Sequence, residues 1–91
     1  MGLDLMDMTF RAERSFKIRM PNNWVERLGI VKREDDATLE EFHRLLLHLC
    51  SEQQVEPPEN SWDLVVKIVE DATGFDEPKP TTTLREVAPY G

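Results

Sequence analysis

Cysteine, glycine and tyrosine are scarce in this chain: one, four and one among 91 residues. A single cysteine, Cys50, rules out an intrachain disulfide, so a packed core must supply the stability. So few glycines argue against an all-β chain built on tight turns. No apolar run approaches the roughly 20 residues that a bilayer crossing needs. Asp4 and Asp7 interrupt the first apolar stretch and no basic segment precedes it, so no signal peptide is expected. These absences suggest a reduced, cytoplasmic protein. Basic residues are outnumbered 11 to 18, for a net charge of −7. That excess repels phosphate backbones and anionic lipid, so neither nucleic acid nor membrane is an expected partner.

The composition, 40% hydrophobic and 32% charged, suits one small globular domain over residues 1–91. Charge is unevenly spread. Residues 1–33 hold seven Lys/Arg against four acids, whereas residues 34–91 hold four against fourteen. The halves can attract each other in the fold, or the basic stretch can be a solvated or docking face.

Periodicity predicts an all-α fold with three long helices and one short one. Leu3 to Phe16 reads as helix, with Leu3, Met6 and Phe10 as its apolar stripe and Leu5, Met8 and Ala12 widening it. Lys17 to Met20 is a short extended exit that Pro21 ends. Asn22 or Asn23 can cap a short helix to Leu28, with Gly29 as its stop and Trp24, Val25 and Leu28 inside. Asp35 or Asp36 can cap the next helix, or Thr38 can, with Glu41 completing a capping box; that helix reaches Cys50, spaced by Leu39, Phe42, Leu45, Leu46 and Leu49. Residues 51–60 read as a linker, because Pro57-Pro58 cannot continue a helix. Ser61 is the expected cap of a last helix with Trp62, Val65, Ile68, Val69 and Ala72 on one face. The remainder reads as a long loop, held down by Phe75, Leu84, Val87 and Tyr90.

The residues make no case for catalysis, so the chain is not expected to be an enzyme. His43 and His48 lie about 140° apart round one helix and cannot share a metal as an i, i+4 pair can. Cys50 ends an apolar helix with no group placed to activate it. The hydroxyls of Thr81, Thr82 and Thr83 suit turns.

The opening stretch GLDLMDMTFRAERSFKIRMP resembles the part of acyl carrier proteins that begins at their phosphopantetheine serine. Leu3, Asp4, Met6, Asp7, Glu13, Phe16, Ile18, Met20 and Pro21 carry the match without a gap. NNWVERLG and DATLEEFHRLLLHLC are similar to that family's third and fourth helices. SWDLVVKIVEDATGF, through Val65, Ile68, Val69 and Gly74, resembles its first helix, and PTTTLREVAPYG its following loop. Those last two pieces precede the serine in the family but come last here. The resemblance therefore implies a four-helix bundle in permuted order (II-III-IV-I), with residues 1–50 as helices II–IV, 51–60 as linker and 61–91 as helix I and loop. It is closed within one chain or by a domain swap between two.

The same resemblance implies a carrier-type scaffold or protein-interaction module of fatty acid or polyketide biosynthesis, with acyl-transfer or synthase enzymes as partners. Gly2 occupies the position of the attachment serine, so covalent phosphopantetheine is not expected and no other cofactor or metal is implied. The family's partner-recognition helix corresponds to the one carrying Asp4, Asp7, Arg11 and Arg14, whose arginines depart from the acidic pattern. A small acidic helical adaptor unrelated to carriers is the alternative.

Overall fold

Leucines and a threonine cap explain the central helix of the computed structural model, which describes residues 3–89. Helix α3 spans Leu39–Glu52. The Thr38 hydroxyl accepts from the Glu41 N–H, and the Glu41 carboxylate accepts from the Thr38 N–H, as the capping box requires. The helix runs two residues past Cys50, because Ser51 and Glu52 are both compatible with a last turn.

Helix α1 is Leu3–Phe16, α2 is Trp24–Arg27, α4 is Ser61–Thr73 and α5 is Leu84–Val87. The described residues contain no strand, only one isolated bridge between Thr38 and Thr83. Helix α1 packs chiefly on α4, and α3 touches both. The core is built from Met8, Ala12, Phe16, Trp24, Leu39, Phe42, Leu46, Leu49, Val65 and Val69, with neighbours from the loops. Two ion pairs join the basic and acidic parts of the chain: Arg11 to Asp71 at 3.7 Å and Arg27 to Glu52 at 3.3 Å. Both are exposed, so they orient the surface more than they stabilise it.

Three expectations are corrected. The buried face of α1 is Leu5, Met8, Ala12 and Phe16. Leu3, Met6 and Phe10 instead face solvent, at 83%, 40% and 55% exposure. Both sets have helical spacing, and the face that includes the small Ala12 is the one that packs. Ser61 is the first residue of α4 and not its cap; Asn60 holds the cap position without a side-chain bond. The C-terminal segment is not wholly loop. Thr83 caps the short α5 by accepting from the Glu86 N–H at 3.2 Å.

Helices α1, α2 and α3 end in one way. Lys17, Gly29 and Gln54 adopt positive φ. The next N–H, of Ile18, Ile30 or Val55, then turns back to Glu13, Val25 or Cys50. This six-to-one closure satisfies a terminal carbonyl and tucks an apolar residue against the core. Ile18 is buried, and Ile30 and Val55 pack on the core's edge. A glycine fills the left-handed position at only one of the three exits, so sequence signals for the other two are weak.

Helix α4 packs on α1 and α3. Residues 53–60 connect the end of α3 to the start of α4.

Candidate functional site

The start of α1 is where the carrier resemblance would place chemistry. Gly2 lies outside the described residues, as do Met1, Tyr90 and Gly91. Of the four residues read as partner-binding, the structure ties two together and leaves two apart. Arg11 donates to Asp7 at 3.1 Å one turn back and reaches Asp71 on α4. It thereby spans α1 and α4 at the surface. Asp4 and Arg14 make no ion pair among the described residues, and Arg14 is exposed.

Beside the first turn of α1 lies an open cavity of about 480 Å³. Leu5, Val25, Ile30, Leu84 and Ala88 give it apolar walls, and Lys32 and Arg33 stand at its edge. The loop that forms this edge is held from below. The Asp35 carboxylate accepts from the Val31 and Lys32 N–H groups at 3.0 and 2.8 Å. Those two bonds to the charged form hold its carboxyl below the usual carboxylate range. From α5, the Arg85 guanidinium reaches the Asp35 carbonyl at 3.0 Å and the Arg33 carbonyl. The Asp36 carboxylate accepts from the N–H groups of Ala37 and Arg85.

The deeper tie between these segments is backbone to backbone. Leu39 and Glu40, in the first turn of α3, donate to the Thr82 and Pro80 carbonyls at 2.7 and 3.0 Å. In return the Leu84 N–H donates to the Ala37 carbonyl at 2.8 Å. The two helix starts thus satisfy each other's orphan groups. One signal for this is in the sequence: Thr-Leu-x-Glu occurs at residues 38–41 and again at 83–86. Four residues are too few for periodicity to announce a helix.

A second polar contact was not legible from the sequence. The His43 Nε2 lies 2.8 Å from the Ser61 hydroxyl, and its ring leans on Trp62 with centroids 5.7 Å apart. Burial pushes the imidazole below its ordinary 6.5, with the Glu40 charge opposing. The neutral ring is therefore the form the fold favours. The unfolded chain takes up this proton first as pH falls, so stability should decline below about pH 6.5. His43→Gln keeps a hydrogen-bonding partner for Ser61 and removes the titration. Thermal melts between pH 7 and 5.5 should show a shallower decline in the variant; equal slopes would refute the assignment.

His48 faces Glu52 at the surface, 3.2 Å away. Cys50 is buried, and burial raises its thiol pKa. Such a thiol is a packing group and a poor nucleophile. No group of three His, Cys, Asp or Glu side chains able to hold a metal exists among the described residues. Among the described residues no helix is long and apolar enough to cross a membrane. The Thr82 hydroxyl accepts from the Lys79 N–H at 2.9 Å, a turn role as expected for this segment.

Comparison with known proteins found no matching family model, no matching curated protein and no matching solved structure.

Proposed function

We propose that the chain is a non-enzymatic module with carrier-like architecture in permuted order, lacking its own prosthetic group and working through protein contacts. The observation that supports this reading is that segments near both ends of the described residues border one cavity. Ala88 and Pro89, from the segment resembling the loop before the carrier serine, line the same cavity as Leu5 in the first turn of α1. A chain continuing from that loop into α1 would need little extra length. Close ends are the condition under which reordering is tolerated. A serine at the start of α1 would also place a phosphate where helix N–H groups and the dipole favour it.

A reordered chain tests this. Residues 61–91 are joined directly to residues 2–52, with Gly2→Ser. The reordered chain should keep the helical spectrum and melt cooperatively. With coenzyme A and a broad-specificity phosphopantetheinyl transferase it should gain the mass of one phosphopantetheine, while the native chain gains none. An unfolded product would refute the permutation. A folded product that stays unmodified would refute the carrier site and favour a helical adaptor unrelated to carriers.

A further inference from the structure

Large apolar side chains on a solvent face carry a cost in water that a solubility role does not explain. Leu3, Met6 and Phe10 form such a row along α1, at i, i+3 and i+7. The charges beside it are sorted along the axis. Asp4 and Asp7 lie in the first half and Arg11 and Arg14 in the second, where the one acid, Glu13, is taken up by the Met20 N–H at 2.9 Å; Lys17 follows just past the helix. That order suits the helix dipole, but the dipole gives no reason for the apolar row.

We infer that this face is a self-association surface, on which α1 of a second copy packs antiparallel. The charge order is the reason for choosing a second copy. Reversing one helix against another sets the acidic half of each beside the basic half of its mate. Residues 3–19 hold four basic and three acidic groups in a chain of net charge −7. This surface is outside the chain's acidic excess, so two copies can meet there without the repulsion that the rest of the molecule imposes.

The register follows from helix geometry. At 100° per residue, Leu3, Met6 and Phe10 cluster on one side, while Asp7 and Arg14 share one edge of the row. A twofold axis across antiparallel helices brings like edges together. Setting Met6 of one copy against Phe10 of the other puts Asp7 level with residue 9 of its mate. Helical side chains lean toward their own N-terminus, so the Asp7 carboxylate and the Arg14 guanidinium of the second copy converge. The symmetry makes two such pairs. Arg14 has no ion pair within its own chain among the described residues, and Arg11 retains Asp71 when Asp7 turns outward. Nothing in this assignment depends on the carrier reading.

Three partly exposed side chains per copy bury less than the ~1,200 Å² of a standard interface. The pair should therefore be weak, filling between about 10 μM and 1 mM. Sedimentation equilibrium over that range should show a monomer–dimer equilibrium. Asp7→Arg and Arg14→Asp, each alone, face like charges across the axis and should weaken it about tenfold or more. Mixed in equal amounts, the two variants regain opposite charges at both pairs and should associate within about threefold of the native chain. Phe10→Lys, at an exposed position, should abolish dimerisation while leaving the melting temperature nearly unchanged. A native chain that stays monomeric to about 1 mM overturns the proposal, as does a mixture no tighter than its components or a Phe10→Lys chain that still dimerises.

Discussion

Trp24→Ala is expected to destabilise the protein by about 3–5 kcal/mol, the range for removing a large aromatic from a packed core. Trp24 is wholly inaccessible and sits in the four-residue α2, yet it reaches the centre of the bundle. Its ring packs tilted on Phe42 of α3, with centroids 5.3 Å apart. Its indole N–H donates to the Thr9 hydroxyl at 2.9 Å, and that hydroxyl donates to the Leu5 carbonyl at 2.8 Å. One side chain therefore holds α2 to both α1 and α3. Alanine leaves a cavity that three elements border. Trp24→Phe keeps most of the volume and loses the N–H bond, so it should cost only about 1–2 kcal/mol. Urea unfolding followed by far-ultraviolet dichroism would measure both. A loss under about 1 kcal/mol for the alanine variant would mean that α2 is not part of the cooperative core.

Leu84→Ala is expected to cost about 2–4 kcal/mol and to loosen a particular set of amides. Leu84 is 4% exposed at the first position of α5. A helix of one turn cannot persist without its packing contact. When Leu84 is shortened, α5 loses its anchor, and the acceptors at Pro80 and Thr82 move with it. The N–H groups of Leu39 and Glu40 then lose their partners although α3 itself is untouched. Hydrogen exchange should show faster exchange at Leu39, Glu40 and Leu84, with Leu46 and Leu49 still protected relative to global unfolding. Uniform acceleration across α3 would show that the clasp and the helix open together, contrary to expectation.

The three long helices were legible in the sequence because each has an apolar period, and α3 and α4 each carry an end signal as well. Thr38 with Glu41 marks one start, and Gly74 marks one end in the left-handed conformation. The packed face of α1 was not legible. Leu3-Met6-Phe10 and Leu5-Met8-Ala12 have equal claims by spacing, and hydrophobicity favours the bulkier set. Packing between helices favours the set that lets backbones approach. The solvent-facing row became visible only when α4 was seen to occupy the other side. Arg85 was equally hidden, since its role is to hold carbonyls of a loop some fifty positions away. The charge imbalance between the two parts of the chain was legible, and Arg11–Asp71 and Arg27–Glu52 are the bonds that realise it. Of the residues that would carry a prosthetic group, Gly2 falls outside the described residues.

The backbone bonds flanking the Thr38–Thr83 bridge, Leu39 to Thr82 and Leu84 to Ala37, link segments more than forty positions apart. In kinetic terms, such a tie closes late. Helix α3 holds its own capping box and can nucleate early, whereas α5 must wait for α3 to present the Ala37 carbonyl. Contacts made after the folding barrier affect the rate of unfolding and hardly touch the rate of folding. The clasp at residues 80–84 is thus a brake on unfolding: shortening Leu84 should shorten the lifetime of the native state while leaving the refolding arm of the chevron in place.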